Sequence, residues 1–197
     1  AYSRCGTSMQ QHGQLTTWLV VALNIVTGNL DHEGGIMFTR PAIDLVALSA
    51  TSKGLQGSFG RFKSRVRELP EFGGELPVAA FAEEILTPGK DQIRGLITHA
   101  GNPVLSTPNG RQLDEALATL DCYVAVDYYI NETTRHAHFI LPPTGPLERP
   151  YYDVIFNTLA VRNVAKYSPP MLVKPENARH DWEILLELTL RMSTEPG

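Results

Sequence analysis

Three short segments carry the residue types that could bind or react: "AGNPVLS" at 100–106, "DYYINETT" at 127–134 and "PPTGPLE" at 142–148. Each follows an apolar run, and each offers small, hydroxyl, amide or carboxylate groups. In the first, Gly101 lets backbone come close to a ligand, Asn102 presents donor and acceptor together, Pro103 stiffens the loop and Ser106 adds a hydroxyl. A turn with a helix cap would account for the same residues. In the second, Asp127 ends the run "VAV", where a carboxylate can take both hydroxyls of a ribose. A cap on "NETT" explains it equally well. The third is stiffened by Pro142, Pro143 and Pro146, so a fixed turn and a ligand wall both stay open. Three such ends together favour a nucleotide-like ligand over three coincident turns.

Other chemistries find little support. There is no GxGxxG after the first apolar run, no GxxxxGK[ST], no CxxC pair and no HExxH. His99, His136 and His138 have no third partner at metal-ligand spacing, so they are read as surface or hydrogen-bonded residues and no metal site is expected. No Ser, Cys or carboxylate has an evident base beside it, and no catalytic residue is assigned.

Ligand-facing loops of this kind need a sheet to hold them. "QIRGLITHA", "CYVAVDYYI" and "FILPP" read as strands, separated by the helix "NGRQLDEALATL" and a short helix "NETTRHAH" opened by an Asn cap. Leu113, Ala116, Leu117 and Leu120 share one side of the first of these helices. Alternation of this kind predicts an α/β fold, a three-layer αβα sandwich around a mainly parallel, Rossmann-like sheet covered on both faces. In open parallel sheets, ligands collect at the carboxyl ends of the strands, where all three segments fall.

Around this core, "PVAAFAEEIL" predicts a helix with Pro near its first turn, and "HDWEILLELTLRM" a closing amphipathic helix with Trp182, Leu185, Leu186 and Leu190 facing inward. "QLTTWLVVALNIVT", at 14–27, places Leu15, Trp18, Leu19, Ala22, Leu23 and Val26 on one face and reads as a buried helix. Residues 36–76 read as an irregular surface excursion, and the stretch after Pro150 as hairpin-like or irregular. The division is therefore 1–76, a helix and irregular segment leading into the core, and 77–197, the α/β domain, in one compact unit overall.

Composition narrows the class. With 197 residues and 43% hydrophobic content there is enough apolar material for one sizeable core, and no run approaches the ~20 apolar residues of a membrane helix. A net charge of -4, with the only basic cluster at Arg61, Lys63, Arg65 and Arg67, argues against a nucleic-acid surface. That cluster reads as a solvated patch, with a single anionic ligand as the alternative. Cys5 and Cys122 match no redox or metal spacing; Cys122 reads as a small buried hydrophobe, and the chain is assigned to a reducing compartment, the cytoplasm. "AYSRCGTSMQQHG" opens without Met or a signal pattern, so the chain is expected to be an internal piece of a longer one.

"GNPVLSTPNGRQLDEAL" with "YVAVDYYINETTRHAHFILPPTGPLE", and "GTSMQQHG" with "WLVVALNIVTGNLDHEGG", resemble the molybdopterin oxidoreductases, the dimethyl sulfoxide reductase family that includes formate dehydrogenases and nitrate reductases. The resemblance covers most of the chain outside 40–90. It implies a three-layer α/β unit that holds molybdopterin guanine dinucleotide, with molybdenum or tungsten in the full-length enzyme. It implies further that Gly101, Asn102, Pro103 and Ser106 line the dinucleotide, that Asp127 takes ribose or guanine groups, and that Thr133, Pro143 and Thr144 flank it. Asp181, in "HDW", would meet the guanine edge, with an N-cap role open beside it. Gly6, Ser8 and Gln10 would lie near the pterin. The family's iron-sulfur motif, metal ligand and C-terminal barrel have no counterpart in these residues. The fragment is therefore expected to be inactive alone, to work with the remaining domains of the parent chain and a redox partner subunit, and to resemble formate dehydrogenases most. The alternative is a cofactor-less scaffold of the kind found in the large subunit of respiratory complex I.

Overall fold

Val124, Ala125 and Val126 set the centre of the fold because small and β-branched side chains pack well on a pleated surface covered by helices. The computed structural model describes residues 1–45, 47–48 and 58–193. These divide into two compact units, the first made of 1–45 and 152–166, the second of 46–151 and 167–197.

In the second unit, β1 (Phe59–Lys63) and β2 (Pro70–Phe72) form an antiparallel hairpin, followed by a 3-10 turn at Val78–Ala80 and helix α3 (Phe81–Leu86). The predicted irregular stretch thus contains a hairpin; its part over 46 and 49–57 lies outside the described residues. What organises the hairpin is Glu71, a buried carboxylate that accepts hydrogen bonds from the Ser58 hydroxyl, the Arg61 N–H and guanidinium, and the Gly74 N–H. These bonds are tertiary, and no alternating apolar pattern announces them. The Ser58 hydroxyl bond leads in lowering the Glu71 carboxyl to about 2 from its ordinary 4.5, with Gly74 and Arg61 adding to it against the cost of burial. The three arginines of the basic cluster are correspondingly paired: Arg61 with Glu71, Arg65 with Glu84 and Arg67 with Glu83.

Strands β3 (Gly95–His99), β4 (Cys122–Val126) and β5 (Phe139–Ile140) form the parallel sheet in the order β3-β4-β5, with Gly95 to His99 in register with Cys122 to Val126. The α/β class with parallel crossovers is therefore as expected. Between β3 and β4 run the single turn α4 (Pro103–Ser106) and α5 (Gly110–Leu117). Leu113, Ala116, Leu117 and Leu120 join Ala82 and Ile85 of α3 and Tyr123 and Ala125 of β4 in the core, on the predicted side of α5. Gly110 starts α5 where a Cβ would collide with the Val104 carbonyl, so only glycine permits the sharp α4–α5 join. Other expectations are corrected. Ile97 on β3 is 42% exposed, so the sheet is covered less evenly than continuous apolar strands suggest. Cys122 is exposed because it sits at the first position of β4, outside the helix-covered part.

The last helix of this unit spans Asp181–Ser193 and is α7, since α6 (Val154–Thr158) precedes it in the chain. Its buried residue is Ile184, with Leu185 and Leu188 half-buried, whereas Trp182, Leu186 and Leu190 are exposed. The helix is rotated from the predicted face, because several faces of "WEILLELTL" are apolar and spacing alone does not choose among them.

In the first unit, α1 (Cys5–Ser8) turns into α2 (Gly13–Val26), and Gly13 lies where a Cβ would strike the Ser8 carbonyl. Asn24 is buried, donating from Nδ2 to the Val20 and Ala1 carbonyls. The apolar face of α2 is not buried: Trp18 is 63% and Leu19 51% exposed. The two pieces of the unit are tied by Thr39, whose hydroxyl donates to the Thr158 carbonyl, and by the Arg40 N–H, which donates to Asn163. Asp153 caps α6 by accepting from the Phe156 N–H at 2.7 Å. No helix among the described residues is long and apolar enough to cross a membrane.

Candidate functional site

The carboxyl ends of β3, β4 and β5 lead into three loops that are laced together by side chains of the second unit. At the end of β3, Ala100 takes a left-handed conformation (φ 51°), with its N–H donated to the Val126 carbonyl of β4 at 3.0 Å. That turn brings Gly101, Asn102 and Pro103 over the sheet end, with Pro103 at the first turn of α4, where its missing N–H costs nothing.

Asn102 does not cap α4 with its side chain. Its Oδ1 accepts the Thr133 hydroxyl at 2.6 Å, its Nδ2 donates to Glu132 at 2.7 Å, and the Thr133 oxygen accepts the Val104 N–H at 3.0 Å. The first loop is thereby bolted to the second. Thr133 is fully buried, so this bolt works in a low-dielectric setting where hydrogen bonds are strong and costly to leave unmade. The Asn102 amide leads in lowering the Glu132 carboxyl below its usual range. Ser106 is exposed at the end of α4.

Asp127, just past β4, folds its Oδ1 back onto the N–H groups of Tyr128 (2.6 Å) and Tyr129 (3.4 Å). Its Oδ2 has no hydrogen bond among the described residues and keeps its acceptor capacity. The expected Asn cap is present nearby: Asn131 Oδ1 accepts the Thr133 and Thr134 N–H groups, both at 2.9 Å.

The third loop is joined through Thr144, a buried residue beside half-buried Pro143. The Thr144 N–H donates to the Arg179 carbonyl, its hydroxyl meets His180 Nδ1 at 2.6 Å, and its carbonyl accepts the Tyr128 hydroxyl at 2.7 Å. One threonine therefore links the loops after β4 and β5 to the start of α7. Asp181 is the first residue of α7 and not its cap; the capping bond runs from the His180 N–H to Glu183 at 2.7 Å. Asp181 Oδ2 accepts from Arg149 at 2.7 Å and meets His99 Nε2 at 3.3 Å. Burial works to raise the Asp181 carboxyl, but the Trp182 N–H, Arg149 and His99 outweigh it and hold the group below its usual range.

Gly101, Asn102, Pro103, Asp127, Thr133, Pro143, Thr144 and Asp181 thus lie in the segments that follow the strands and open α7, and the polar ones fall into three hydrogen-bonded groups: Asn102 and Thr133 with Glu132, Asp127 and Thr144 with Tyr128 and His180, and Asp181 with Arg149 and His99. Gly6, Ser8 and Gln10 belong to the first unit, on exposed backbone, where Gln10 donates to the Thr16 hydroxyl and the Thr7 carbonyl. His99, Glu132 and Arg149 were not picked out by spacing, because their partners lie 82, 30 and 32 residues away in the chain. The histidines behave as hydrogen-bonding residues: His136 with Asp114 at 2.6 Å, and His138 Nδ1 accepting the Tyr123 N–H at 3.0 Å. Among the described residues no group of three His, Cys, Asp or Glu side chains could hold a metal. Chemically these loops offer acceptors, amides and one arginine fork at a sheet edge, groups suited to holding a polar ligand.

Residues 5–191 match the family model for molybdopterin oxidoreductase. The assimilatory nitrate reductase catalytic subunit of Bacillus subtilis is 34% identical over 96 residues, which is 49% of this chain and 13% of that protein. Trimethylamine-N-oxide reductase 1 of Escherichia coli is 26% identical over 94% of this chain and 24% of its own length. The dimethyl sulfoxide/trimethylamine N-oxide reductase of Cereibacter sphaeroides is 25% identical over 95% of this chain and 25% of its own. The chain therefore spans a quarter or less of the length of these relatives.

Proposed function

The chain belongs to the molybdopterin oxidoreductase family, and from that premise we propose that its second unit grips the nucleotide tail of a molybdopterin guanine dinucleotide inside a molybdenum or tungsten oxidoreductase. The observation that carries the reading is the laced loops at the strand ends, with Asp127 Oδ2 accepting no hydrogen bond among the described residues. The donor set fits such a group: a carboxylate for ribose hydroxyls, a backbone turned close at Ala100–Gly101, and no competing metal cluster among the described residues. When bound, the cofactor supplies the redox chemistry, and the protein supplies position and electrostatics. Asp127 accepts from the sugar, Gly101 and Pro103 form the wall over the sheet, and Asn102, Thr133 and Thr144 hold the three loops at fixed separation. Gly6, Ser8 and Gln10 serve the pterin end.

In this reading residues 77–197 form the nucleotide domain of a three-layer sandwich, with other parts of the parent chain over the face on which Ile97 is exposed. The parent enzyme is cytoplasmic, carries its iron-sulfur cluster in other segments and passes electrons to a redox partner subunit. It is formate-dehydrogenase-like, and the fragment alone turns nothing over. Relatives named for nitrate, trimethylamine N-oxide and dimethyl sulfoxide reduction supply the competing substrates for an assay of the full-length enzyme.

One observation favours a second reading. Asn102, Thr133 and Thr144 direct their hydrogen bonds to other protein groups, as a cofactor-less scaffold would require. Replacing Asp127 by Ala in the full-length protein separates the two. Molybdenum or tungsten and pterin content should fall at least about tenfold, the equivalent of one lost charge-assisted contact. Unchanged content, or none in the parent protein, supports the scaffold instead.

A further inference from the structure

Between the end of β5 and α7 the second unit keeps a cavity of about 480 Å³, a size that falls in the roughly 300–1,000 Å³ range of small-molecule sites. Leu141, the residue after β5, is fixed there by its N–H, which donates to the Ala125 carbonyl at 2.7 Å. Half-buried Leu141 and Leu188 and buried Ile184 line the cavity, so its depth is apolar. Asn177, Arg179 and Arg191, which also line it, are exposed, so its mouth is polar.

Charge at the mouth is unbalanced. Arg191 donates to Glu187 at 2.7 Å, and that bond leads in holding the Glu187 carboxyl below its usual range. Arg179 adds to the same effect through space, yet its guanidinium donates no hydrogen bond and pairs with no carboxylate among the described residues. Only the backbone of Arg179 is committed, through its carbonyl, which accepts the Thr144 N–H at 2.9 Å. Two arginines against one glutamate leave a positive charge over an apolar depth, and the Asn177 amide at the same mouth makes no hydrogen bond among the described residues.

That combination selects a ligand class. A neutral apolar molecule would fill the depth and leave the guanidinium without a partner. A phosphate would meet the guanidinium and offer nothing for Leu141, Ile184 and Leu188 to cover. A monocarboxylate with an alkyl tail satisfies both ends, because two carboxylate oxygens match the planar arginine fork while the tail leaves water against aliphatic side chains.

We infer that the cavity between β5 and α7 is a binding site for an amphipathic monocarboxylate, with its carboxylate on Arg179 and its tail on Leu141, Ile184 and Leu188. The inference goes beyond the nucleotide-tail reading and does not rest on it, since none of these side chains takes part in that reading.

The test titrates the full-length protein calorimetrically with butanoate, hexanoate and octanoate, all below micelle-forming concentrations. Affinity should rise about tenfold for each two carbons added, since a fully buried CH₂ is worth about fourfold. 1-Octanol should bind about tenfold more weakly than octanoate, for want of the charge-assisted bond. Arg179→Gln should weaken octanoate about tenfold and leave octanol unchanged, whereas Arg179→Lys should keep the preference for octanoate. Asn177→Trp, at an exposed position, fills the mouth and should abolish binding of both; it decides the matter if the glutamine variant does not fold. No octanoate binding by the parent, or an affinity that ignores chain length, overturns the inference. So does octanoate binding at parental strength in Arg179→Gln or in Asn177→Trp, which would assign it to adsorption on other exposed apolar surface.

Discussion

Helices α2 and α5 look alike as sequence and differ as structure. Both repeat apolar residues at helical spacing, yet Leu117 of α5 is 1% exposed while Leu19 of α2 is 51% exposed. The difference lies in what each helix meets. α5 is followed within a few residues by β4, and Leu113, Ala116 and Leu117 close over Tyr123 and Ala125. Among the described residues of the first unit, α2 packs chiefly on the one-turn α1 and buries Asn24, and its leucines stay exposed. Periodicity defines a face; burial requires a second surface of the right shape.

The largest effect should come from cutting the packed helix. Leu117→Ala removes side-chain volume from the core and should destabilise the second unit by about 2–5 kcal/mol in urea melts, the usual cost of a cavity plus lost burial. A value below about 1 kcal/mol would mean that the core around α5 collapses to fill the gap. Next come the laced loops. Thr144→Val deprives His180 Nδ1 and leaves the hydroxyl's place apolar, at a cost of about 1–3 kcal/mol, and Thr144→Ser should recover most of it.

The hairpin gives a pH-dependent test. Glu71 has a folded-state value of about 2 against an ordinary 4.5, so its contribution is fully present above about 4.5 and is lost as pH falls through about 2. Melting temperatures of the parent and of Glu71→Gln should therefore differ at pH 7 and converge as pH approaches about 2. A constant gap would assign the effect to shape and not to charge. The smallest effect belongs to α2: Leu19→Ala should change stability by no more than about 0.5 kcal/mol. A loss comparable with that of Leu117→Ala would show that α2 is covered in solution and would erase the contrast.

The same contrast explains what could be read in advance. The strands at 95–99 and 122–126, the helix over 110–117 and its inward face were legible because short-range pattern and long-range packing agree there. The hairpin at 59–72 was not, because Glu71 and its donors replace the apolar alternation that usually marks strands. The inward face of α7 was not, because "WEILLELTL" is apolar on more than one side. In the candidate site, Asn102 and Asp127 were singled out from residue type at strand ends, and Thr144 from the family resemblance. Their division of labour was invisible: Asn102 and Thr144 bond to protein, while Asp127 keeps an oxygen open.

Sequence alone determined the α/β class and the parallel order of elements along the chain, which follow from local periodicity, and its resemblance to known enzymes pointed to the family. Only the tertiary structure decided that Arg149 and His99 converge on Asp181, that Thr133 and Thr144 are buried bolts, and that the apolar face of α2 stays exposed. Each of those depends on groups far apart in the chain reaching within about 3 Å of one another, or failing to, and hydrogen-bond geometry at that range leaves no trace in the spacing of residues.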